Sequence, residues 1–446
     1  METSDFYKKV AALVIPMALQ NLINVGVMAT DVIMLGKVSE TVLSGASLGG
    51  QVAFILNLIL FGLASGASVL TAQYWGKGDK DSIEQIIAIG IDFSLVVGTI
   101  FAVITLVAPE QIMHIFTNDL EVIAEGKKYL QILAFSYPIS ATTMTFLNLL
   151  KSMERVVIST ICYGTSLVFN FCINAILIFG LFGVPALGIV GAAIGTLSTR
   201  LLELVIVAIY TYRIRNFIRI RPRYMLRIDR VLLGDFLKFS SPVVMNELLW
   251  GLGYAANAAI MGRLGQSAVA ANSVTQVTRQ LSMVVVFGLS TAAAVMIGKA
   301  IGEKQMEVAK EYATQFIRLA LVGGMVGGAL ILFIRPLVIR GMGFEGTTAM
   351  YANTFLTMMA CYVLMQAMNC VFIIGIFRAG GDTKFGLYID IVSMWCGSIL
   401  LGVIAAFVLE LDVVYVYAIL LLDEAIKIPL TIYRYSKKKW LRNVTR

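Results

Sequence analysis

"PMALQNLINVGVMATDVIMLG", residues 16–36, is an apolar run that carries Asp31 two thirds of the way along. A helix needs about 20 mostly apolar residues to cross roughly 30 Å of hydrocarbon, so the run reads as a membrane span. An ionised side chain near the centre of such a span costs roughly 3 kcal/mol even on the lenient insertion scale. The Asp31 carboxyl must therefore face a bundle interior, hold a proton or bind a cation.

The remainder of the chain repeats this pattern. Of 446 residues, 59% are hydrophobic and only 14% charged, with a mean hydropathy of +0.85, which leaves too little polar surface for an ordinary soluble protein. The period-2 alternation of a β-barrel is absent. Twelve spans are predicted, at 10–35, 43–75, 83–107, 124–150, 156–180, 188–212, 233–262, 268–298, 306–334, 348–377, 385–408 and 413–433. The first is expected to be retained, because its flank Met-Glu-Thr-Ser-Asp-Phe is acidic and no small-residue cleavage site follows. His114 and the five cysteines (162, 172, 361, 370, 396) have neither metal-ligand nor disulfide spacing and read as packing residues.

Lys and Arg alternate between the connecting segments. With the N-terminus inside, the cytoplasmic segments hold Lys8, Lys9, Lys77, Lys80, Lys151, Arg155, the run from Arg213 to Arg230, Lys299, Lys304, Lys310, Arg378, Lys384 and the basic tail 437–442. The outer loops hold only Lys37, Lys127, Lys128, Arg263, Arg335 and Arg340. Moving the count by one span destroys this asymmetry, so both ends are expected to be cytoplasmic in a multi-pass cell-membrane protein. The net charge of +8 is then a topology and lipid-headgroup signal, not a nucleic-acid one.

The sequence also repeats itself. Pro16 matches Pro242, Gly36 matches Gly262, Ser47 matches Ser273, Phe61-Gly62-Leu63 matches Phe287-Gly288-Leu289, Ala67 matches Ala293, Val69 matches Val295 and Gly76 matches Gly302, each pair 226 apart (242 − 16). Six spans per half give both halves the same topology. The expected fold is therefore all-α and integral to the membrane: twelve transmembrane helices in two homologous six-helix lobes around a central cleft. The lobes are assigned to residues 1–220 and 221–446, joined by a basic linker at 213–223. This architecture favours a carrier. No phosphate-binding loop is present to spend ATP, so an ion gradient is the expected energy source and no cofactor is expected.

The intramembrane polar residues are the candidate site. Asp31 and Glu247 lie on repeat-partner spans, although by register Asp31 matches Asn257 and Glu247 matches Asn21. Asn170 and Asn174, four apart, share a helical face, and Thr196 adds an oxygen. With Asp31 they make either an oxygen-rich pocket for Na+ or a dry one that keeps a proton on the acid. Asn and Thr also serve merely to bridge membrane helices. Asp92, Arg200, Glu203, Asp390, Asp423, Glu424 and Lys427 are intramembrane as well, and Arg200 with Glu203 at a spacing of three reads as a pair. Pro16 and Pro242 each remove a backbone donor from a span that carries an acid, and are candidate helix-bending points. Large side chains for a substrate cleft are Tyr137, Asn246, Trp250, Tyr254, Asn257 and Met365.

The span 1 string "P...LQN......ATDVIMLGKVS", its partner "SPVVMNELLWGLGYAANAAIMGRLG", "NFCINAILIFG" followed by "GIVGAAIGT", and "FRAGGDTK" together resemble the multidrug and toxic compound extrusion (MATE) family of antiporters, over essentially the whole chain. The resemblance implies export of organic, often cationic, compounds against inward Na+ or H+, by a protein expected to be monomeric. It implies that Asp31 is the family's first-helix acid, Pro16 the bend in that helix, and Asn170 the fifth-helix Asn. Many members place Asp where this chain has Asn174. Glu247 stands about one turn earlier than the helix 7 acid of the sodium-driven branch. The helix 10 acid of that branch falls on Ala367 (378 − 11). The rival readings are an exporter of an endogenous metabolite and a lipid-linked oligosaccharide flippase, which would want several cations in its cleft; Arg200, Arg279, Arg318 and Lys427 are the candidates. An enzyme is disfavoured by the lack of a nucleophile-base set or metal cluster.

Overall fold

The computed structural model describes residues 3–213, 217–218, 221–226 and 228–446. The lobe boundary expected at residue 220, and much of the linker expected at 213–223, lie outside the described residues.

Apolar segments that must satisfy their own backbone groups in lipid become helices, and every expected span falls on helix. These are α1 (Thr3–Gly36), α2 (Glu40–Lys77), α3 (Lys80–Val107), α4 (Pro109–Phe116), α5 (Leu120–Leu133), α6 (Ser136–Lys151), α7 (Val157–Phe179), α8 (Ile189–Arg213), the short α9 (Pro222–Leu226), α10 (Arg230–Arg263), α11 (Gln266–Gly302), α12 (Met306–Gly341), α13 (Gly346–Cys370), α14 (Thr383–Asp390), α15 (Leu400–Phe407), α16 (Val413–Leu420) and α17 (Leu422–Ser436). α13 runs on as a π-helical stretch, Val371–Phe377, and a second one, Ile391–Ile399, joins α14 to α15.

Among the described residues, nine of these stretches are long and apolar enough to cross a bilayer. The other three expected spans lie on α10, which carries Asp235, Lys238 and Glu247, and on two broken helices. The span read at 124–150 divides into α5 and α6 around Ala134 and Phe135, and the one at 413–433 divides at Leu421. Side-chain caps close several ends: Asp79 accepts from the Ser82 amide at 3.1 Å and Asp412 from the Val414 amide at 2.9 Å.

Two compact units are present: Met1–Ala18 with Ala72–Gly78 and Ser241–Arg446, and Leu19–Thr71 with Asp79–Ser240. The division falls inside α1 just beyond Pro16 and inside α10 just before Pro242. In the second unit, Leu56, Leu60, Leu130 and Tyr137 centre one apolar cluster, and Leu35, Ala46, Ile178 and Ala192 another. In the first, Met283, Phe355, Val363 and Tyr417 centre a larger one.

Helices in membranes associate through small residues that let backbones touch. Gly76 and Gly302, one of the repeat pairs, do this within the first unit. A Cβ on Gly302 would lie 1.9 Å from the Gln73 carbonyl oxygen, and one on Gly76 2.1 Å from that of Lys299. Gly302→Ala is predicted to force the two helix ends apart and cost about 1–3 kcal/mol, read as a lower melting temperature in detergent. Gly262→Ala, where a Cβ meets nothing within 4 Å, is the control; equal melting of the two variants would contradict the contact.

Candidate functional site

Asp31 projects from the part of α1 beyond Ala18, which lies in the same unit as α7 and α8. Two glycines on α8 permit the approach. A Cβ at Gly191 would lie 2.6 Å from the Leu177 carbonyl oxygen, and one at Gly195 would lie 1.9 Å from Asn174 Oδ1. The side chains then form a chain of hydrogen bonds. Asn174 Nδ2 donates to Asp31 Oδ1 at 2.7 Å and to Asn170 Oδ1 at 3.2 Å. Asn170 Nδ2 donates to Thr199 Oγ1 at 3.4 Å, and that hydroxyl donates to the Gly195 carbonyl at 2.8 Å. Asn174 is 0% exposed, and its Oδ1 accepts from nothing among the described residues.

A cavity of about 410 Å³ opens on this group, lined among others by Asn24, Asp31, Asn57, Asn170 and Thr196. Arg200 also lines it, but both of its close contacts go to Glu203, at 2.9 Å to each carboxylate oxygen. The pairing expected from a spacing of three is present. Its guanidinium charge is thus largely balanced, and Asp31 keeps one neutral donor and a free side facing the cavity. Asp31, the orphaned amide oxygen and the neighbouring hydroxyls are hard oxygen donors, the type that suits Na+; among the described residues no group of three or more His, Cys, Asp or Glu gathers to hold a metal.

Glu247 has a different setting in the other unit. Arg378 Nη2 donates to Glu247 Oε1 at 2.7 Å and to Asn246 Oδ1 at 3.1 Å. Asn246 Nδ2 donates onward to Asp390 Oδ2 at 2.5 Å. Lys427 Nζ then lies 2.8 Å from Asp390 and 3.2 Å from Glu424, with Asp423 at 3.6 Å. Asn369 Nδ2 closes the far end on Glu424 Oε2 at 2.7 Å. Six ionisable side chains are thereby held in one buried network of α10, α13, α14, α17 and the residue after the first π-helical stretch.

The sequence reading foresaw the acids of this network but not Arg378 or Asn369 as their partners. Arg378 is 131 positions from Glu247, and no local spacing links them. The remaining candidates are dispersed. Asn246 belongs to the network. Trp250, Tyr254 and Asn257 line a second cavity, of about 30 Å³, within that unit, and the Trp250 and Tyr254 rings stack at 6.1 Å. Tyr137 sits in an apolar cluster, and Met365 lines neither cavity.

The family model MatE matches this chain twice, over residues 16–176 and 242–404. The two matches begin 226 residues apart, at the two matched prolines. "Uncharacterized transporter YisQ" of Bacillus subtilis is 22% identical over 92% of this chain and 90% of its own length. "Probable multidrug resistance protein NorM" of Bradyrhizobium diazoefficiens is 26% identical over 88% and 85%. Among solved structures, the Vibrio cholerae MATE transporter VcmN in its bent form superposes with a TM-score of 0.85 at 17% identity, covering 98% of each chain.

Removing one partner of a buried ion pair strands the other at about 3–5 kcal/mol. Arg378→Ala is therefore predicted to lower detergent stability steeply, and Arg378→Met combined with Glu247→Gln to recover most of the loss. Chemical unfolding followed by tryptophan fluorescence measures both, and an Arg378→Ala protein as stable as the parent would contradict the pairing.

Proposed function

The chain belongs to the MatE family of multi-pass membrane transporters, and on that premise we propose that it is a secondary active exporter of small organic compounds, cationic or amphipathic, driven by inward Na+ or H+ at Asp31. One observation carries the reading: of the two carboxylates on a 410 Å³ cavity, Glu203 is ion-paired with Arg200, whereas Asp31 has no ion-pair partner among the described residues. The names of relatives, multidrug resistance protein among them, support the exporter. Glu247 is the weaker coupling candidate, because a guanidinium 2.7 Å away balances its charge.

In this reading both ends are cytoplasmic, the protein works as a monomer, and its two six-helix lobes alternate in access. An ion drives such a cycle only if it binds one state better than the other. Asn170, Asn174 and Thr196 supply neutral oxygens around Asp31, and Pro16 and Pro242 supply bending points in α1 and α10. Against a flippase of anionic lipid-linked sugars, Arg200 and Lys427 are ion-paired and Arg318 is exposed, so no cluster of free cations forms among the four candidates.

The test is efflux of a fluorescent organic cation from proteoliposomes, with a Na+ gradient and a pH gradient imposed separately. One of the two gradients is predicted to drive efflux by the parent chain, and Asp31→Asn to reduce it to the level of protein-free liposomes while remaining folded. Glu247→Gln is predicted to retain gradient-driven efflux. Unchanged efflux by Asp31→Asn would remove that residue from the mechanism.

A further inference from the structure

The duplication places two cavities at equivalent positions of the repeat. Asn24, Met28 and Asp31 line the larger one; their counterparts Trp250, Tyr254 and Asn257 (250 − 24, 254 − 28 and 257 − 31, each 226) line the smaller. The polarity is exchanged between them. Where the first has a carboxylate, the second has the Asn257 carboxamide. Where the first half has Ala53, the second has Arg279 (279 − 53 = 226), on the wall of the small cavity. The repeat itself therefore does not require a guanidinium here.

Arg279 is 5% exposed. It lies on α11, inside the expected span 268–298. Its Nε donates to Gln276 Oε1 at 2.9 Å and its Nη1 to Gln366 Oε1 at 3.2 Å. No carboxylate pairs with it among the described residues, in contrast to Arg200 on Glu203. The network acids of the same unit, Glu247, Asp390, Asp423 and Glu424, are engaged by Arg378, Lys427 and Asn369. A guanidinium stays charged and presents five N–H donors, so two amide oxygens leave both its charge and most of its donors unanswered. The carboxamide nitrogen of Gln366 is a further donor without a partner among the described residues.

We propose that this cavity binds one small singly charged anion, in contact with Arg279 and Gln366. A volume of about 30 Å³ holds roughly one water-sized group: a chloride ion, or the carboxylate of a larger molecule whose remainder lies outside it. In the second case substrates carry an acidic group as well as an organic body. That extension rests on the exporter reading, whereas anion binding itself does not.

The test titrates the purified full chain with sodium acetate or sodium chloride at constant ionic strength, held with sodium sulfate, and follows tryptophan fluorescence. A saturable change carried by Trp250, absent from Trp250→Phe and lost in Arg279→Gln, is expected. Tighter acetate than chloride binding identifies an organic carboxylate as the ligand; the reverse identifies free halide. If Arg279→Gln does not fold, Arg279→Lys, which keeps the charge but not the fork, is expected to bind at least tenfold more weakly. No saturable response to either anion, or equal affinity in the Arg279 variants, overturns the proposal. Failure of the exporter reading would show separately, as absent dye efflux from liposomes.

Discussion

A charge inside a hydrocarbon layer has to be answered where it stands, and this constraint orders the polar interior of the chain. Three answers occur side by side. Glu247 and Lys427 are answered by opposite charges within 3 Å. Arg200 is answered by its neighbour one helical turn on. Asp31 and Arg279 are answered only by neutral amides, and each lines a cavity. The Glu247 and Lys427 pairs tie different parts of the chain together; groups left to amides retain a free-energy incentive to take up something else.

The repeat explains how such different interiors arise on one architecture. Gly76 with Gly302, and Pro16 with Pro242, recur at the constant offset, and at both glycines a Cβ would meet a neighbouring backbone. The polar residues between them have diverged freely, Asp31 against Asn257 and Ala53 against Arg279. Backbone contact tolerates no added atom, so the glycines are held by sterics. A cavity wall is less restrictive.

Much of this was legible in the chain itself. The spans follow from hydropathy, the duplication from a constant offset, and the Asn170, Asn174 and Arg200, Glu203 pairs from helical spacing alone. Asp31 was expected to share a pocket with Asn174, but the direct 2.7 Å hydrogen bond across 143 positions required the fold; the pairing of Arg378 with Glu247 was not legible at all. Tyr137, expected in a cleft, is packed among leucines, since an aromatic residue in a membrane helix looks alike from sequence whichever face it occupies. The break between α5 and α6 did leave a signal: Pro138, in the first turn of α6, where proline suits a helix start. At Leu421 no glycine or proline marks the division, and the chain turns polar only just beyond it, at Asp423 and Glu424.

The central claim is that Asp31 is the group whose occupancy changes as the coupling ion comes and goes. Infrared difference spectroscopy of the purified chain, on raising the pH and on adding Na+ at fixed pH, observes carboxyl groups directly. The account predicts a carboxyl change under one of these two treatments that is missing from Asp31→Asn and retained in Glu247→Gln. An undiminished change in Asp31→Asn would contradict it.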